Sequence, residues 1–85
     1  MSLVSAQNVT FFAKSGCNGA SEIIKVVGCT NLSGNTVKSV LVPKSMKYNI
    51  FKNKDCKGFY ETVQEGCSNL GDQNPKSIRE AITES

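Results

Sequence analysis

Four cysteines, two glutamates at matching places and a cluster of five lysines are the side chains of this 85-residue sequence whose types and spacing bear on chemistry. Cys17, Cys29, Cys56 and Cys67 are too far apart for a structural zinc site, which takes its thiolates from close pairs, and there is no His to complete a mixed ligand set. Disulfides are therefore expected, and with them an oxidising, extracellular compartment. Glu22 and Glu61 offer two carboxylates for acid and base work. They lack partners, because the chain has no His, no Gly-rich phosphate loop and no Ser or Cys beside a base. No enzymatic activity, no metal and no cofactor are expected.

Lys44, Lys47, Lys52, Lys54 and Lys57 stand against Asp55 alone, so Lys44 to Lys57 carries +4 in a chain of net charge +3. Such a region either meets an anionic surface or is a solvated face. Nucleic acid is not the expected partner, since Arg79 is the single Arg and no aromatics are interleaved with the basic residues to stack on bases. Phe59 and Tyr60, adjacent on a strand, point to opposite faces, which leaves one of them a contact candidate. "VPKSMK", Val42 to Lys47, is the one segment read as an exposed rigid loop, presenting Lys44 or Met46 as a protease inhibitor would.

These side chains sit in a duplicated frame. "GCTNLSGNTVKSV" at Gly28 to Val40 returns as "GCSNLGDQNPKSI" at Gly66 to Ile78, and the match extends back through Phe12 with Phe51, Cys17 with Cys56, Gly19 with Gly58 and Glu22 with Glu61. Two copies fit a closed, pseudo-twofold unit better than an open array, which needs at least three. Within each copy, runs rich in β-branched and aromatic residues alternate with Gly, Asn and Asp clusters: "NVTFF" and "KYNIF", "SEIIKVV" and "FYETVQ", "VKSVLV" and "KSIREAI". Four short strands per copy predict an all-β sandwich of two four-stranded sheets built from two Greek keys. A strand over Ser77 to Ala81 is preferred to a helix because its counterpart, "KSVLV", is strongly β-forming.

The chain reads as a single domain over residues 1–85, with repeat one over about 7–42 and repeat two over about 46–82; residues 1–6 read as an appended or disordered start. "VSA" before Gln7 has the small residues of a cleavage site, and no run approaches the roughly 20 apolar residues that span a bilayer. Asn8 and Asn31 stand in glycosylation tripeptides, a form common by chance.

The octets "FAKSGCNG" and "FKNKDCKG", each followed about twenty residues on by a Ser that opens the last strand, resemble the Greek-key signature of the βγ-crystallins, from about Asn8 to Ala81. The resemblance implies that Phe12 and Phe51 pack on a folded first hairpin, that Gly19 and Gly58 adopt a backbone conformation closed to residues with a Cβ, and that Ser39 and Ser77 bond the hairpin backbone. The second aromatic usual in that motif is replaced by Cys17 and Cys56, which suggests a covalent tie in place of ring stacking. All three possible pairings survive exchange of the halves. Cys17 with Cys29 and Cys56 with Cys67 are favoured because each closes a short loop within its own repeat.

Relatives that bind calcium use a loop of paired Asn or Asp residues followed by hydroxyl ligands, and the segments here are "GNTVKS" and "DQNPKS". Both are degenerate: Asn35 and Asp72 remain, but Lys38 and Lys76 stand where a hydroxyl should be, and an ammonium has donors only. An ammonium in the ion's place would bond the loop carbonyls, and no calcium binding is expected. The resemblance further implies one of three roles: a toxin-like or effector-like protein acting on an anionic cell-surface or cell-wall component, a structural or stress-related protein, or a protease inhibitor. A secreted monomer of the first kind is the expectation.

Overall fold

Six antiparallel strands cover most of residues 7–81, the part described by the computed structural model. They are β1 (Gln7–Lys14), β2 (Asn18–Val26), β3 (Thr30–Asn31), β4 (Ser39–Asn53), β5 (Lys57–Asn69) and β6 (Ser77–Glu80). The reading of residues 1–6, and the end of repeat two at 82, lie outside the described residues. No described helix is long and apolar enough to cross a membrane.

The eight expected strands are six because two of them are long and continuous. β4 joins the last strand of repeat one to the first of repeat two, where a break was expected near Pro43. Its pairing with β5 shifts between Val42 and Lys47. Ser45 takes a positive φ of 66° and Gly66, opposite Val42, one of 99°. The two strands therefore bend side by side, as bulged strands do, without reversing direction. The start of β4 pairs with β1 and the end of β5, and its later part with the start of β5 and with β6. The result is a curled antiparallel sheet, and β6 is the strand preferred above over a helix.

Where the third strand of each repeat goes is the decisive topological fact. β3, from repeat one, pairs with β6 of repeat two, Thr30 opposite Ile78. The end of β5, from repeat two, pairs with the start of β4, Leu41 opposite Cys67. Each half of the sheet is thus completed by the other repeat.

The core follows the two-residue period of the strands. Val9 and Phe11 on β1, Val40 and Val42 on β4, and Tyr48, Ile50, Val63 and Ile78 in the second half are all buried. The core ring of β1 is Phe11, whereas Phe12 is half-buried on the opposite face.

Tyr48 is fully buried, and its hydroxyl finds no hydrogen-bond partner among the described residues. Burial first, and then the charge of Glu80 opposite it, raise its pKa above the ordinary tyrosine value. A group whose folded pKa is raised contributes stability that is present below the unfolded value, about 10, and is lost as the pH climbs through the folded one. We expect Tyr48→Phe to match the parent at pH 7 within about 1 kcal/mol and to lose less stability above pH 10. Parallel alkaline unfolding curves for both proteins would refute this.

Candidate functional site

In each repeat the first hairpin closes through a tight turn that ordinary residues adopt at a cost. Lys14 pairs with Asn18 and Asn53 with Lys57, and in the turns Gly16, Cys17, Asp55 and Cys56 have φ values of 77°, 56°, 62° and 56°. Gly19 and Gly58 follow at 81° and 74°, and a Cβ there would come within 3.0 Å of Lys14 and Asn53 side-chain atoms. Left-handed conformations at Cys and Asp cost energy that the surroundings must over-determine.

Ser39 and Ser77 supply part of that support. The Ser39 hydroxyl accepts from the Cys17 N–H at 2.8 Å and donates to the Lys14 carbonyl at 2.6 Å. Ser77 does the same for Cys56, at 2.9 Å, and Asn53, at 2.5 Å. Both serines are fully buried.

The rest of the support crosses between repeats. Asn69 accepts from the Gly16 N–H at 2.7 Å, and Asn31 accepts from the Asp55 N–H at 2.8 Å. The disulfides take the same route: Cys17 is bonded to Cys67 and Cys29 to Cys56, with Cα separations of 6.1 and 6.0 Å. The expected pairing, Cys17 with Cys29 and Cys56 with Cys67, is corrected here. Exchange of the third strands is the reason, because it carries Cys29 to the half that holds hairpin two and Cys67 to the half that holds hairpin one. Each Cys-x-Asn triplet thus clamps the other repeat's hairpin. The two Asn were visible in the repeat as matched residues, but their role needed the topology.

Phe12 and Phe51 are half-buried, and Phe51 meets Phe59 edge to face at 6.1 Å between ring centroids. The degenerate calcium loops lie against each other. Lys38 extends its ammonium to the Asp72 carboxylate of the other loop at 3.4 Å, and the Val37 N–H donates to Asn74 at 3.2 Å. The Lys38 ammonium thus bonds an acidic side chain, where a loop carbonyl was the expected partner. The backbones of Lys38 and Lys76 are engaged as well, each donating to the carbonyl of Phe12 or Phe51 and accepting from Leu70 or Leu32. No cluster of three His, Cys, Asp or Glu suited to a metal occurs among the described residues.

All five lysines are exposed, and they fall in two groups along the chain. Lys44 and Lys47 lie at the bend of β4, and Lys52, Lys54 and Lys57 at hairpin two; eight residues of strand, about 26 Å at full extension, separate Lys44 from Lys52. Phe59, 56 % exposed, stands beside the second group, and the Lys52 ammonium lies 5.6 Å from the ring centre of Tyr60. Val42 to Lys47 belongs to β4 and is not a protruding loop; Met46 packs against the core, and the Ser45 N–H donates to Glu65 at 2.8 Å. Glu22 accepts from the Ser33 hydroxyl at 2.9 Å and from Asn35 at 3.5 Å.

No protein-family model and no curated protein matches the sequence significantly. Solved structures do. The N-terminal domain of Protein S matches with a TM-score of 0.72 at 25% identity, covering 88% of this chain and 96% of that one. A βγ-crystallin domain from Clostridium beijerinckii gives 0.72 at 20% identity over 87% of this chain and 97% of its own. One from Flavobacterium johnsoniae gives 0.72 at 15% identity, over 91% and 97%. The sequences differ at three positions in four or more while the backbones superpose, and the chain has the fold of the βγ-crystallin domains.

Proposed function

We propose that this is a secreted, non-enzymatic binding protein, toxin-like or effector-like, that meets an anionic cell-surface or cell-wall component through its second hairpin. One observation carries the reading. The two hairpins share the residues that shape them, yet hairpin one carries Lys14, Asn18 and Ala20 where hairpin two carries Asn53, Lys57 and Phe59, with Lys52 and Lys54 beside them. Folding does not require three exposed lysines and an exposed ring there, since the equivalent turn forms without them. Cationic side chains around an aromatic suit a surface that is anionic and partly apolar. Two cross-repeat disulfides support an oxidising compartment. The bends at Ser45 and Gly66 support dividing the curled sheet into the two four-stranded sheets of a Greek-key sandwich, one of β2, β1, the start of β4 and the end of β5, the other of the start of β5, the end of β4, β6 and β3. The chain acts as a monomer.

Sedimentation with vesicles containing anionic lipid, and with cell-wall polysaccharide, tests the reading. Binding is expected to weaken with salt and to fall several-fold in Lys52→Ala/Lys54→Ala/Lys57→Ala. The melting temperature should stay nearly unchanged, because exposed lysines contribute little to folding. Lys44→Ala should have the smaller effect. Equal binding by parent and triple variant at every salt concentration would overturn it.

The alternative, a structural or stress-related protein, draws on the contact between the two loops, in which Lys38 meets Asp72. In both readings calcium has no complete ligand set at Asn35 and Lys38 or at Asp72 and Lys76. Millimolar calcium is therefore expected to leave the melting temperature of metal-stripped protein in place, and a rise of several degrees would count against both.

A further inference from the structure

The duplication supplies an internal comparison, because one scaffold is decorated twice. In repeat one a cavity of about 250 Å³ opens between β2 and the loop before β4. Buried Phe11 and Val37 line it together with Ala13, Ala20 and Ser21, and the Glu22 carboxylate stands at its side. The residues that replace Ala13, Ala20 and Ser21 in repeat two are Lys52, Phe59 and Tyr60. There the Tyr60 ring packs against the core and its hydroxyl donates to the carbonyl of Gln73 at 2.8 Å, while the Lys52 ammonium sits 5.6 Å from the ring centre. Gln73 is the counterpart of Asn35, which lines the cavity of repeat one.

The second repeat thus fills, with its own side chains, the region that the first leaves open: a hydroxylated ring bridges the second strand and the loop, with a cation over the ring. We infer that the cavity of repeat one is a binding site for a small hydroxylated aromatic, and that an attached ammonium is favoured. The ring takes the apolar room over Phe11 and Val37, which exceeds the roughly 150 Å³ sufficient for a benzene. The hydroxyl donates to the main-chain oxygen of the loop, as Tyr60 does in repeat two. Glu22 sets the preference for charge: its carboxylate attracts an ammonium and repels a carboxylate. It is already oriented by Ser33 at 2.9 Å, so little side-chain freedom remains to be lost on binding. The site lies in the first half and is independent of what the second hairpin meets.

Amide chemical-shift titration of the oxidised chain tests this with three probes: phenol, tyramine and 4-hydroxyphenylacetate. Saturable shifts are expected at Ala13, at Ala20 to Glu22 and at Val37, with tyramine binding several-fold more tightly than 4-hydroxyphenylacetate. Ser21→Tyr fills the cavity from within and should abolish the response; Ala20→Leu does so independently should the tyrosine disturb the fold. Glu22→Gln should retain phenol binding and remove the discrimination between amine and acid. Absence of saturable shifts at millimolar probe would overturn the proposal, as would shifts that persist undiminished in a folded cavity-filled variant.

Discussion

Peptide mapping of the oxidised protein is expected to return Cys17 linked to Cys67 and Cys29 linked to Cys56, and reduction is expected to leave little folded protein at 37 °C. The magnitude follows from the loops closed. Bridges spanning 50 and 27 residues restrict the unfolded chain by about 4 and about 3.5 kcal/mol in the loop-entropy account. Domains of this size have roughly 5–15 kcal/mol in total, and a small core lies toward the lower end. Both bridges also hold residues whose backbone is strained, since Cys17 and Cys56 each have a φ of 56°. Cys67→Ala should cost about as much as Cys17→Ala, because each deletes the same bridge. Cross-linked peptides confined to single repeats, or a reduced protein that melts within a few degrees of the oxidised one, would contradict the arrangement.

The second large effect belongs to Ser39 and Ser77. Ser39→Ala removes one hydroxyl and leaves two backbone groups, the Cys17 N–H and the Lys14 carbonyl, without their partner beneath the hairpin. Fully buried polar groups stripped of a partner cost about 1–3 kcal/mol each, roughly 2–6 for two; these bonds are part-buried, so a loss in the lower part of that range, about 2–4 kcal/mol, is expected, and the same for Ser77→Ala. Urea unfolding, with the denaturant dependence unchanged, measures it. Ser21→Ala, at an exposed position, is the control and should shift stability by less than about 0.5 kcal/mol. A loss below about 1 kcal/mol in both buried variants would mean that the hairpins are held by their disulfides and Asn contacts alone.

Much of this arrangement was legible because the chain states it twice. A serine or glycine that recurs at one offset marks a position the backbone demands, whatever its neighbours do. The pairing of cysteines was not legible, for a physical reason: nearness along the chain favoured closure within a repeat, and nothing local at Thr30 and Asn31 records that this short strand pairs with β6. The merging of eight strands into six escaped for a related reason. Val42 to Lys47 read as a loop between the repeats and the Gly-containing clusters as breaks between strands, yet at Ser45 and Gly66 the backbone takes positive φ and hydrogen bonding resumes beyond it. Alternation alone also did not choose between Phe11 and Phe12, since both rings sit in an apolar run and only the packed sheet decides which faces inward. The cavity of repeat one was invisible because the small residues Ala13, Ala20 and Ser21, which leave it open over Phe11 and Val37, carry no motif.

The exchange of third strands bears on how the molecule folds. Neither repeat can complete its half alone, so the contacts that clamp a hairpin are all distant in sequence: Gly16 meets Asn69 across 53 residues and Asp55 meets Asn31 across 24. Distant contacts repay the entropy of chain closure late, and folding rates fall as their share rises. The two halves must therefore order together in one cooperative and comparatively slow step. A chain cut to a single repeat would have one route to a closed structure, which is to borrow the missing strand from a second copy of itself.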